Sequence, residues 1–138
     1  MELANGSHVL KPSQMKTIDR GTGVRSWLLS SREIGSQHIT TGITEFPDGA
    51  AIANHHHNCE EQVTILEGDA VAVVDGTEFE LTAPDTTFIP SGVPHHFLNR
   101  SGKKMKILWI YGSTNVTRTF TATGKTVPHL SAGDKATV

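Results

Sequence analysis

The chain has 138 residues, 36% of them hydrophobic and 19% charged, a length that suits one domain able to bury roughly two thirds of the surface its unfolded chain would expose. Twelve Lys and Arg against fourteen Asp and Glu leave a formal net charge of −2, with no basic run beyond Lys103-Lys104, which excludes nucleic acid and anionic membrane as expected partners. No stretch reaches the roughly 20 apolar residues of a bilayer span, and residues 1–14 lack the apolar core of a signal peptide, so a cytoplasmic protein is expected.

No long segment repeats its apolar residues at helical spacing. Short runs rich in β-branched and aromatic residues instead predict strands at 26–29, 38–46, 51–57, 62–66, 70–74, 78–82, 87–89, 95–99, 106–111 and 116–120. Turn residues separate them: Pro47-Asp48-Gly49, Glu67-Gly68-Asp69, Ala83-Pro84-Asp85 and Ser101-Gly102. Asp75-Gly76 predicts a two-residue hairpin joining 70–74 to 77–82, because both central positions of that turn need positive φ. Strands at this spacing indicate an all-β sandwich or closed barrel. A barrel over residues 16–125 is expected, with looser segments at 1–15 and 126–138.

Eight histidines are many for this length, and five of them are His55, His56, His57, His95 and His96. His55 and His57 are two apart on a predicted strand, so both side chains leave one face and can grip one ion. Glu61 follows the polar turn Asn58-Cys59-Glu60, which is expected to fold the next strand back beside the first. Val63 and Ile65 share the parity of Glu61 and are expected to pack behind the ion. His95, after the turn Pro90-Ser91-Gly92, would add a fourth ligand from a distant strand. Three imidazoles and a carboxylate suit Fe, Mn, Ni, Cu or Zn rather than Ca or Mg, one divalent ion per chain. Such a set leaves coordination positions open for substrate, dioxygen or water.

These residues and spacings resemble the cupin superfamily. Its first motif runs glycine, five residues, His-x-His, three or four residues, Glu, six residues, glycine. Gly49, His55, His57, Glu61 and Gly68 meet every fixed position of it. Its second motif is met by Pro90, Gly92, His95 and Asn99, whereas Pro84 stands where the opening glycine belongs. The motifs occupy residues 49–68 and 84–99. The resemblance implies a single-domain cupin-type jelly-roll β-barrel of the small, one-barrel kind, often dimeric through exchanged terminal strands.

The other polar residues have plainer expected roles. His56 and His96 have the opposite parity to the ligands and are expected outside the site, and Glu60 does not keep the spacing to Gly68. Cys59, the single cysteine, rules out an intrachain disulfide and is expected to be a bystander in its turn. Asn99 is expected to tie a strand end to a neighbouring loop. Trp27, Phe46, Phe88, Phe97, Trp109 and Tyr111 are expected in the core or an interface, with Phe97 the favoured pocket residue. Of Arg25, Lys106 and Arg118, one that points inward could bind a substrate carboxylate.

The expected function is a metal-dependent oxidoreductase of dioxygenase type acting on a small oxygen-bearing substrate, with Glu61 also able to act as a base. A non-oxidative isomerase, lyase or decarboxylase, and a binding protein without turnover, are the alternatives. A homodimer is expected from the apolar run at 107–111 and from unpaired sheet edges.

Overall fold

Alternation along each strand decides which face is buried. In Met105–Tyr111, Met105, Ile107, Trp109 and Tyr111 are buried, while Lys106, Leu108 and Ile110 are half-buried on the other face. In Glu61–Glu67 the buried set is Glu61, Val63 and Ile65, as parity requires. The computed structural model describes residues 1–136. Its strands are β1 (Ile18–Asp19), β2 (Arg25–Leu28), β3 (Thr40–Phe46), β4 (His55–His57), β5 (Glu61–Glu67), β6 (Asp69–Val74), β7 (Thr77–Thr82), β8 (Thr86–Ile89), β9 (His95–Leu98), β10 (Met105–Tyr111), β11 (Thr117–Phe120) and β12 (Thr126–Pro128). Two 3₁₀ turns, Pro12–Gln14 and Arg32–Ile34, are the helical elements among the described residues.

The strands form two six-stranded sheets, ordered β1-β2-β3-β10-β5-β8 and β12-β11-β4-β9-β6-β7, with every pairing antiparallel. Facing each other, they make the expected jelly-roll barrel, and their inner residues form one apolar cluster around Phe46, Val63, Ile65, Phe97, Met105, Ile107 and Trp109. β6 and β7 join through Asp75 and Gly76, at φ 50° and 84°, the hairpin geometry that the pair predicts. Gly42 has a packing role: it lies beside Trp109 in the β3–β10 register, and a Cβ there would fall inside the indole ring.

Two expectations are corrected. The turn after β4 does not lay β5 beside it. It carries the chain into the other sheet, so β4 pairs with β9 and β11, and β5 with β10 and β8. Glu61 therefore meets the histidines across the barrel interior, because alternation fixes a strand's face and not its neighbour. Of the segment expected to be loose, 126–138, the described residues 126–136 pack on the barrel, since β12 pairs with β11 and Asp134 and Ala136 are buried, and 137–138 lie outside the described residues. Buried charge accounts for it, since the Asp134 carboxylate meets both Arg20 and Arg118.

Candidate metal centre

β4 places His55 and His57 on the inner face, and the β4–β9 register sets His95 directly opposite His55. All three are buried, and their ligand atoms lie within 4.8 Å of one another. The orientation of each ring is set from behind. His55 Nδ1 lies 2.7 Å from the Ala53 carbonyl, His57 Nδ1 3.0 Å from that of Thr117 and His95 Nδ1 2.8 Å from that of Val93. A carbonyl only accepts, so each Nδ1 carries a proton and donates it, leaving Nε2 to face the barrel interior. Arg118 Nη1 also stands 3.2 Å from His55 Nδ1. A protonated Nδ1 cannot accept from it, so that approach is a contact and not a hydrogen bond.

Glu61 reaches the same point from β5. Its Oε2 is 2.9 Å from His95 Nε2 and its Oε1 is 3.4 Å from His57 Nε2. Burial opposes ionisation of Glu61, but His95 and His57 outweigh it and hold the carboxyl well below the usual carboxylate range. Burial lowers His57, and lowers His55 strongly with Arg118 adding to the effect, so both imidazoles favour the neutral form. With a proton on Nδ1 alone, Nε2 lone pairs would face carboxylate oxygens and repel, whereas positive charge at this point is what holds Glu61 down. His57 Nε2, His95 Nε2 and Glu61 Oε2 accordingly have no hydrogen-bond partner although buried. A cation shared among these acceptors relieves the repulsion, and nitrogen with carboxylate oxygen is a donor set for a divalent transition ion. The residues fit such an ion: His55, His57 and His95 could hold a metal, and Glu61 stands beside them.

The surrounding cavity is lined by Ile52, Val63, Phe97 and Ile107 on its apolar side and by Arg20, Arg118, Tyr111 and His129 on its polar side. About 20 Å³ of it is open, room for roughly one water. Burial and the Glu61 carboxylate push the Tyr111 phenol well above its ordinary value, keeping it neutral. A wider depression of about 540 Å³, lined by Asp69, Glu80 and Arg100 among others, involves none of these histidines.

The remaining sequence candidates fall into place singly. Phe97 lines the cavity, but so do Trp109 and Tyr111, whereas Phe88 is 59% exposed and is not a core residue. His56 is half-buried, and His96 Nδ1 meets Asn54 Oδ1 at 3.0 Å. Glu60 is exposed. Cys59 is buried, and burial raises its thiol, which favours the protonated form. Asn99 Nδ2 donates to the carbonyls of Phe46, Pro47 and Lys103, tying the loop as expected. Arg25 and Lys106 pair with Glu45 away from the cavity, and Arg118 is the basic candidate that points inward. Sequence reasoning missed Arg20, His129 and Asp134. The available signal was slight: Asp134 is the one acid after residue 126.

This barrel and inward histidine cluster define the class, and residues 42–111 match the cupin domain family. The chain belongs to that family. A curated relative, mannose-1-phosphate guanylyltransferase of Klebsiella pneumoniae, is 37% identical over 68 residues, which is 49% of this chain and 14% of that enzyme. The chain therefore corresponds to a small part of that relative's length. Among solved structures, the polyketide cyclase RemF of Streptomyces resistomycificus superposes with a TM-score of 0.71 at 18% identity, covering 93% of this chain and 89% of that one. A cupin from Silicibacter pomeroyi described as a sugar phosphate isomerase superposes at 0.70 and 17% identity, covering 94% and 99%. At these identities the likeness is one of fold.

Proposed function

We propose that this chain is a metal-dependent enzyme acting on a small oxygen-bearing metabolite, with one divalent transition ion per chain on His55, His57, Glu61 and His95. The observation that carries the reading is the convergence of buried, unpartnered Nε2 and carboxylate oxygen atoms on one point. When bound, the ion supplies a Lewis-acidic centre with open positions for substrate and for dioxygen. The chain's residues do the rest. Ile52, Val63, Phe97 and Ile107 exclude water and so strengthen each charge interaction inside. The Tyr111 hydroxyl can donate to a substrate oxygen, and Glu61 can take a proton from a substrate carbon or hydroxyl.

Oxygenation of dioxygenase type is the first reading, because a nearly closed chamber with an apolar side of Ile52, Val63, Phe97 and Ile107 suits a reaction that water must not enter. Non-oxidative isomerisation, cyclisation or cleavage is the second, supported by the structural likeness to a polyketide cyclase and to a sugar phosphate isomerase. Oxygen consumption by the Fe(II)-loaded protein over a panel of diketones, hydroxy-acids and catechol-like compounds separates them. Uptake stimulated by at least one compound, and slowed by Glu61→Gln far more than by His56→Ala, supports the first. Anaerobic isomerisation or cleavage with Zn or Mn, without oxygen uptake, replaces it with the second.

A homodimer belongs to the same reading. Thr41, Ile110, Gln62 and exposed Phe88 line up across the outer face of one sheet, and β8 is its unpaired edge. Light scattering is expected to give twice the chain mass of 14.9 kDa, whereas a mass near 14.9 kDa at every concentration contradicts a dimer.

A further inference from the structure

Two guanidinium groups are fully inside this barrel, and one carboxylate of the chain's own C-terminal segment answers both. Arg20, Arg118 and Asp134 are 2%, 2% and 1% exposed. Arg118 Nε lies 2.8 Å from Asp134 Oδ1, and Arg20 Nη2 reaches the same oxygen at 3.3 Å. Arg20 Nε donates to the Asp134 carbonyl at 3.2 Å, and Arg20 Nη1 donates to Ser26 Oγ at 3.1 Å. Asp134 Oδ2 accepts from the Leu130 amide at 2.7 Å. The arrangement is incomplete: Arg20 Nη2 is among the buried atoms without a hydrogen bond of acceptable geometry. Neither planar fork grips the Asp134 carboxylate by two parallel bonds, since both meet it at the one oxygen Oδ1.

Arg20 and Arg118 also line the cavity that contains His55 and Glu61, and Arg118 Nη1 stands 3.2 Å from His55 Nδ1. Charge favours an anion there. Asp134 is the one carboxylate paired with both guanidiniums, while Glu61 faces the histidines, so one positive charge of the arginine pair is left unmatched in a region of low dielectric. Space forbids an occupant larger than water while the segment is seated, since only about 20 Å³ is open. The part of the wall that comes from the C-terminal segment is 129–136. It contributes His129 to the lining and sets Asp134 against the two arginines that line the cavity, and its far end is held by backbone bonds of Ala136 with Arg20 and Ala53.

We propose that Arg20 and Arg118 form the carboxylate-binding subsite beside the candidate metal centre, and that Asp134 occupies it as an internal stand-in that a small carboxylate substrate displaces. Only the placing of the substrate's other end rests on the proposed metal centre; the arginine pair stands without it. The segment 129–136 thus acts as a plug whose exchange with substrate is a competition between two carboxylates for one pair of cations. A substrate of this class carries a carboxylate at one end and a hydroxyl or carbonyl oxygen at the other.

The test uses the full-length, metal-free protein with glycolate as probe and sodium chloride at equal ionic strength as control. Titration calorimetry gives the affinity, and hydrogen exchange at the Leu130 and Ala136 amides reports the plug. Expected are weak glycolate binding to the unaltered chain with faster exchange at both amides, binding at least tenfold tighter in Asp134→Ala, and none in Arg118→Gln. Asp134→Asn, which keeps the shape and removes the charge, gives the same reading should Asp134→Ala not fold. Equal glycolate affinity with and without the Asp134 carboxylate, or binding that leaves both amides protected, overturns the proposal and makes the triad a structural clamp. Tighter binding of inorganic phosphate than of glycolate overturns the carboxylate assignment. Because no metal is present, carboxylate binding can succeed while metal binding fails, and the two readings fall separately.

Discussion

Replacing His57 with alanine is expected to strip the protein of its metal while leaving the barrel folded. The imidazole is one of three whose ligand atoms lie within 4.8 Å of each other, and its ring is fixed by the Thr117 carbonyl behind it. Loss of a mere supporting partner of a ligand weakens metal binding about 10–100-fold, so loss of a ligand is expected to exceed about a hundredfold. The fold should tolerate the change because the cluster around Phe46, Ile65 and Met105 holds the sheets together elsewhere. Metal content per chain and the thermal transition measure the two halves of this expectation. Unchanged metal content removes His57 from the ligand set, and complete unfolding shows that the site is mainly a structural one.

Phe46→Ala is expected to do the reverse. Phe46 is 0% exposed at the end of β3, and truncating such a ring destabilises by about 3–5 kcal/mol through lost burial and the cavity left behind. That is a large part of the stability of about 5–15 kcal/mol usual for a domain, and corresponds to a fall of roughly 10–20 °C in Tm. Phe46 is absent from the lining of the cavity that holds His55 and Glu61, so metal affinity at temperatures where the variant is folded should stay within a few-fold. Urea denaturation and metal titration check the pair of values. A stability loss under about 1 kcal/mol would show that the core closes over the missing ring.

What was legible in the sequence was local. Parity alone separates His55 and His57 from His56, and Val63 and Ile65 from Gln62, because successive side chains of a strand leave opposite faces. Asp75-Gly76 fixes its hairpin through backbone preference at two adjacent positions. The motif spacing brought out the residues that the structure gathers around one point, although they come from three strands in two sheets. What was not legible is long-range. Neither parity nor turn chemistry says which sheet β5 joins. β1 and β12 are two and three residues long, too short for any periodic signal, and β12 contains Pro128. Arg20 and Asp134 meet across 114 positions of sequence, and neither lies on a strand. Arg118 was a candidate only as one of three basic residues near apolar strands, and its burial on β11 is what singles it out from Arg25 and Lys106. Phe88 reads as a core or interface aromatic by composition, and its parity on β8, opposite to that of buried Ile89, turns it outward.

The central claim is that the inward cluster of His55, His57, Glu61 and His95 is a metal centre, and the direct measurement is made on protein purified without nickel resin. Elemental analysis gives the metal content, and X-ray absorption at the edge of the metal found gives its neighbours. One transition ion per chain is expected, in a shell of nitrogen and oxygen at about 2.0–2.2 Å and without sulfur, since Cys59 lies outside the cluster. Protein that carries no transition metal, and takes up none when Fe, Mn, Ni, Cu and Zn are offered in turn, would contradict the account.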